Sequence, residues 1–158
     1  MQFERDSISA GLGGGNIGAA AAALSVEDYA RKYVGLDETG RLADADLRRR
    51  SVEHKMENKA FQLTVRRAAD EAKSNQGPSA ASSIMKYAGA KIAQERTELI
   101  IESLGAAGLG WSGDFFEKDE LASVRGWLRA KANSIEGGSS EINLNVVSKR
   151  VLGLPDPK

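Results

Sequence analysis

Ile135-Glu136-Gly137-Gly138-Ser139-Ser140-Glu141-Ile142-Asn143, continuing as Asn145-Val146-Val147-Ser148-Lys149-Arg150-Val151-Leu152-Gly153-Leu154-Pro155, is the stretch that decides the fold. Two adjacent glycines let the backbone turn, and Ser139 or Ser140 can then cap a new helix. That helix stops near Gly153, with Pro155 just beyond it. Backbone N–H groups at a helix start form a positive end, which suits an anionic or polar cofactor edge. Read alone, the same residues also describe an ordinary helix–turn–helix connection.

Working outward, the chain reads as helix throughout. Proline occurs only at 78, 155 and 157, so long stretches lack a breaker. β-Branched and aromatic residues never alternate over a useful length, so no strand is expected. A first helix is placed at about 4–34, marked by Ile8, Leu12, Ile17, Leu24 and Tyr29. A turn at 35–40 leads to a charged second helix at about 42–74. Val52, Met56, Ala60 and Leu63 step by three or four there, and so do Phe61, Val65, Ala68 and Ala72. Both rows predict a core-facing stripe. After the break at Asn75-Gln76-Gly77-Pro78, Ser79 caps a third helix reaching about 104, in which Ala88-Gly89-Ala90 permits close helix approach. A glycine-rich stretch at 105–113 precedes a fourth helix at about 119–133. The expected architecture is all-α: an up-down four-helix bundle with an additional C-terminal helix, one domain over 1–158.

Composition narrows the function. Lys plus Arg is 22 and Asp plus Glu is 22, so the formal charge is zero. Nothing electrostatic therefore points to nucleic acid or an anionic membrane. Arg48-Arg49-Arg50, followed by Glu53 and Glu57, reads as a solvated helix face. The absence of cysteine removes disulfides, thiolate metal sites and cysteine nucleophiles, and suits a cytoplasmic protein. No apolar run reaches the roughly 18 residues of a membrane span, and the first residues lack a signal-peptide pattern.

Two further features read as structural. Gly13-Gly14-Gly15-Asn16-Ile17-Gly18 fits G-x-G-x-x-G, with Glu38 further on, but no strand precedes it as a dinucleotide fingerprint requires. His54 lies among Glu53, Lys55 and Glu57 without partners for a triad or metal site, so an exposed surface histidine is expected. Trp111 and Trp127 read as packing anchors. No metal site is indicated.

The stretch from Trp127 to Pro155 resembles the closing segment of the acyl-CoA dehydrogenase family, where I-(Y/E)-G-G-(T/S)-(S/N)-E-I precedes a helix ending in R-V-L-G-L-P. Arg31-Lys32-Tyr33-Val34-Gly35 resembles the family's R-K-x-F-G element, with Val34 in place of the aromatic residue. Glu102-Ser103-Leu104-Gly105-Ala106-Ala107-Gly108 resembles its Q-x-L-G-G-x-G element, with Glu102 for Gln and Ala106 for Gly. The resemblance spans essentially the whole chain but only the C-terminal bundle of a family member, without the N-terminal helical and middle β domains.

That resemblance implies FAD as cofactor. Arg31 would touch flavin held by a neighbouring subunit, and Glu102, Gly105 and Ala106 would approach its adenosine part. Gly137, Gly138, Ser139 and Glu141 would face it from the C-terminal loop. The implied reaction is α,β-dehydrogenation of an acyl-CoA, with electrons passing to an electron-transferring flavoprotein and assembly as a homo- or hetero-oligomer through the bundle. A carboxylate must take the α-proton, and desolvation raises its pKa toward working pH. Many members carry that glutamate where this chain has Gly137. Glu4, in an E-R pair with Arg5, matches the first-helix base of other members and is preferred, with Glu136 the lesser candidate. The isolated chain is expected to be inactive. The alternatives are a standalone helical interaction module and a non-catalytic subunit of a hetero-oligomeric enzyme.

Overall fold

The computed structural model describes residues 24–73 and 81–155. Helix α1 is Val26–Tyr33, and it begins where the sequence predicts the middle of a long helix. Ser25 stops any continuation: it is extended, its Oγ accepts from the Asp28 N–H at 3.1 Å, and its own N–H donates to the Asp28 carboxylate at 3.0 Å. This reciprocal capping box satisfies two orphan N–H donors and fixes a helix start, so the single helix over 4–34 is corrected at this point. The earlier part of that expectation, Glu4 included, lies outside the described residues.

A tight turn at 35–42 links α1 to α2. Asp37 organises it, its Oδ1 accepting from the N–H groups of Thr39 and Arg41. The Asp44 carboxylate then accepts from the Leu47 N–H at 2.8 Å, opening α2, Ala45–Lys73. Helix α3 is Ala81–Leu104, followed by a 3-10 segment at Gly105–Leu109. Helix α4 is Lys118–Ala130, a turn shorter than expected because the chain tightens into a 3-10 turn at Lys131–Ser134. Helix α5 is Ser140–Val146, running into a π-helical turn at Val147–Val151. Among the described residues there is no strand, only an isolated bridge between Leu36 and Leu42.

Helix α3 is the centre, with α1, α2, α4 and α5 all packed on it. Its Leu99 is fully enclosed, in a cluster with Ile100, Leu104, Val26, Tyr29, Ala30 and Leu47. A Cβ on Gly89 would sit 3.1 Å from the Phe61 ring tip, so α2 and α3 do approach over the small residues, as the sequence suggests.

Helix α2 departs from expectation. Phe61, Val65 and Ala68 of one row turn inward while Ala72 at its end is exposed, and in the other row Val52, Met56, Ala60 and Leu63 are exposed, Met56 at 67%. At 100° per residue the two apolar rows lie roughly 150° apart around the helix, more than one neighbouring helix can cover. His54 is also corrected: it is 6% exposed, with Nδ1 3.6 Å from the Glu95 carboxylate on α3. Trp111 is more than half exposed, with the Arg125 guanidinium lying over its ring, so it is not the buried packing anchor expected.

Candidate functional site

The loop ahead of α5 matches the sequence reading in conformation. Gly137 and Gly138 both take positive φ, 65° and 95°, which L side chains adopt only with strain. Ser139 is the N-cap, its Oγ accepting from the Ile142 N–H at 3.4 Å. The Asn143 amide donates to the carbonyls of Gly138 and Ser139, both at 2.9 Å, fixing the loop from the helix side. The outer surface of the glycine pair is open to solvent. Helix α5 spans only seven residues, however, so its dipole contributes little to any anion there. Glu141 is exposed in its first turn, its carboxyl held below the usual range by its own backbone N–H and by Ser139.

Glu136 sits beside this loop in an unsuitable state for a general base. The Arg129 guanidinium donates to it at 2.6 Å and holds its carboxyl below the ordinary range. A base for the α-proton needs the opposite shift. Glu4 lies outside the described residues.

The other elements sit elsewhere. Gly105 follows the C-terminal end of α3, whereas the turn leading into the α5 loop lies between the N-terminal part and the middle of α3, where Lys86 donates to the Asn133 carbonyl and Gln94 to the Ala130 carbonyl. The 18 residues between positions 86 and 104 correspond to roughly 27 Å of helix. Glu102 is engaged by Arg50, at 2.7 Å. Gly105 takes φ 54°, and Ala106 beside it is exposed.

Arg31 opens on a groove of 280 Å³ between α1, the 35–42 turn and α2. Four cations line it: Arg31, Arg41, Arg48 and Lys55. Glu27 lines it too, paired with Lys55 at 3.1 Å, and Arg48 is held by the Leu42 carbonyl at 2.7 Å. Ser51 contributes a buried hydroxyl, and Leu36, Leu42 and Val52 supply apolar wall. Neither Glu102, Gly105, Ala106 nor the 137–141 loop lines this groove, so the structure leaves the expected flavin contacts in separate places. Of the lining residues, only Arg31 is a site residue in the sequence reading, which gives Arg48 to a solvated helix face and Val52 to an apolar row. Arg48, Ser51, Val52 and Lys55 carried a signal, since they recur at three- and four-residue steps and share one face of α2.

The family sequence model for the acyl-CoA dehydrogenase C-terminal domain matches residues 6–152. The chain belongs to that family. Among solved structures it is similar to a chain of the ChsE4-ChsE5 complex from Mycobacterium tuberculosis, with 21% identity and a TM-score of 0.61. The match covers 85% of this chain and 34% of that one, so this acyl-CoA dehydrogenase C-terminal domain spans about a third of its solved relative. No curated protein matches the chain. No helix among the described residues is long and apolar enough to cross a membrane.

Proposed function

We propose that this domain forms part of an FAD-dependent acyl-CoA dehydrogenase that introduces an α,β double bond into an acyl-CoA. The observation that carries the reading is the Gly137-Gly138 loop, whose paired positive-φ glycines keep side chains off an open backbone surface fixed by Asn143. Such a surface accepts a flat, polar ligand edge at van der Waals distance. FAD, when bound, supplies the hydride acceptor for the substrate β carbon. Glu4 takes the α-proton in this reading, because Glu136 is neutralised by Arg129. Gly137 and Gly138 with Ser139 and Glu141, Arg31, and Glu102 with Gly105 and Ala106 present flavin-facing surface from separate parts of the domain. One copy therefore offers contact patches rather than a closed cofactor cavity, and the remaining walls come from the rest of the enzyme and its neighbouring subunits. The parent is a cytoplasmic oligomer assembled through the bundle, delivering electrons to an electron-transferring flavoprotein.

The isolated 158-residue chain then binds flavin weakly and does not turn over. Purifying it alone and measuring flavin absorbance tests this, and a stoichiometric yellow complex overturns it. In the full-length parent, Glu4→Gln abolishes dehydrogenation, whereas a near-normal rate removes Glu4 from the mechanism.

Three observations favour a second reading, a domain in a non-catalytic subunit. Residue 137 is glycine, Glu136 is ion-paired, and the solved relative is one chain of a two-component complex. In that case Glu4→Gln leaves the activity of the assembled enzyme intact.

A further inference from the structure

We infer that His54 and Glu95 form a pH-sensitive clasp between α2 and α3, closed when the imidazole carries a proton and slack when it does not. Three observations carry it.

The first is geometry. His54 is 6% exposed on α2, and its Nδ1 lies 3.6 Å from Oε2 of Glu95 on α3. That separation is just beyond a hydrogen bond and within reach of an ion pair, so a small side-chain movement makes or breaks the contact. The Glu95 side chain is 36% exposed. Water therefore reaches one side of the carboxylate, which eases the desolvation that opposes a wholly enclosed ion pair.

The second is that both facing atoms lack a hydrogen bond. His54 Nδ1 and Glu95 Oε2 are shut off from solvent without a hydrogen-bond partner among the described residues, and so is Ser51 Oγ one turn earlier on α2. Buried polar atoms left unmatched weaken a helix–helix seam, and apolar side chains would serve it better. In neutral imidazole one ring nitrogen carries hydrogen and the other a lone pair, whereas the imidazolium donates from both. Protonation thus guarantees an N–H toward Glu95 and adds the charge that draws the pair together.

The third is that the surrounding charges are engaged or face solvent. On α2, Arg50 is held by Glu102 of α3, Glu53 by Arg49, and Lys55 by Glu27 of α1, while Glu57 is exposed. On α3, Glu98 pairs with Lys131, Arg96 donates to the Leu24 carbonyl, and Lys91 is exposed. Glu95 is left as the carboxylate that meets the imidazole. Imidazole ordinarily changes charge between about pH 5 and 8. The middle of α2 is therefore held to α3 more firmly in acid than in alkali.

The test uses the fact that His54 is the only histidine in the chain, so one imidazole Cε1 proton resonance reports it alone. That resonance is expected to titrate, and Glu95→Gln moves its midpoint to lower pH, because a neighbouring carboxylate favours the charged ring. A double-mutant cycle of His54→Gln and Glu95→Gln, read by melting temperature, gives a coupling of roughly 2–4 °C at about pH 5.5 and none at about pH 8.5. The coupling is present below the imidazole titration and lost as pH rises through it. Amide exchange in the middle of α2, corrected for its intrinsic pH dependence, is several-fold slower at the lower pH in the native chain and loses that difference in Glu95→Gln. Equal coupling at both pH values overturns the clasp and assigns a neutral Nδ1–H hydrogen bond instead. A resonance that does not titrate, or a midpoint unmoved by Glu95→Gln, overturns it as well, and both readings hold even where His54→Gln fails to fold.

Discussion

Arg129 and Glu136 form a two-pronged ion pair across the turn that leads into the glycine loop, with Nη2 2.6 Å from Oε2 and Nη1 3.4 Å from Oε1. The guanidinium holds the Glu136 carboxyl below its ordinary range, which weakens it as a proton acceptor. Its role is to anchor the loop. In the proposed flavoenzyme, Glu136→Gln is expected to leave the dehydrogenation rate within about twofold, far from the 10²-fold or greater loss typical of removing a general base. Steady-state kinetics decide it, and a rate falling with Glu136 transfers the role proposed for Glu4 to this residue.

Gly138 separates backbone strain from crowding. A Cβ there would meet only the Asn143 amide nitrogen, at the ordinary contact distance of 3.5 Å, but φ is 95°. Gly138→Ala is therefore expected to destabilise by conformation alone, by about 1–2 kcal/mol. Thermal unfolding reads this as a fall of roughly 2–8 °C at this chain length. Gly89→Ala makes the contrast, since its limit is the 3.1 Å approach to Phe61. Replacing Phe61 with Leu relieves the Gly89→Ala variant and leaves the Gly138→Ala variant as it was.

The helices α2 to α5 were legible because their signals are local: the glycine breaks, the serine cap and the three- and four-residue apolar steps. The helix start at Val26 was not, although Ser25 and Asp28 have capping-box spacing. The apolar markers on either side run through it at helical intervals and so hide the cap. His54 was misread for a related reason. Its sequence neighbours are charged, but each residue turns the helix by about 100°, so Glu53 and Lys55 point to either side while His54 turns toward α3. The candidate site was legible only where chemistry follows one short segment. The Gly137-Gly138 conformation was readable, whereas the Arg31 groove joins a helix, a turn and the face of a second helix. Motif spacing carries no information about such a junction.

Tyr33 and Glu120 give a pH-dependent prediction. The Tyr33 hydroxyl donates to the Glu120 carboxylate at 2.7 Å, joining α1 to α4, and this bond with the Glu117 N–H holds the Glu120 carboxyl below its ordinary value. A depressed carboxyl pKa contributes stability above the unfolded-state value, and that contribution is lost as pH falls through the folded-state value. Tyr33→Phe removes the donor. The gap in melting temperature between the native chain and this variant is thus widest near neutral pH. It narrows with acidification as Glu120 takes up a proton. A gap independent of pH down to the acid transition shows that ring packing, and not the charged hydrogen bond, accounts for the tyrosine.

Met56 and Leu63 lie on the uncovered row of α2, with more than half of each side chain in water. Apolar side chains at such intervals on an exposed helix face are the usual content of a helix–helix contact. In the proposed oligomer this row is covered by another polypeptide segment. Met56→Lys with Leu63→Lys is expected to alter the fold stability by no more than about 0.5 kcal/mol each, because neither position is enclosed in the single chain. The same pair places two ammonium groups in a desolvated contact, so the assembled species falls to monomer by sedimentation. Helical circular dichroism and melting measured on the monomer distinguish the outcomes. Loss of helix along with assembly means the row is covered within one chain, and an unchanged oligomer means that α2 presents it to water.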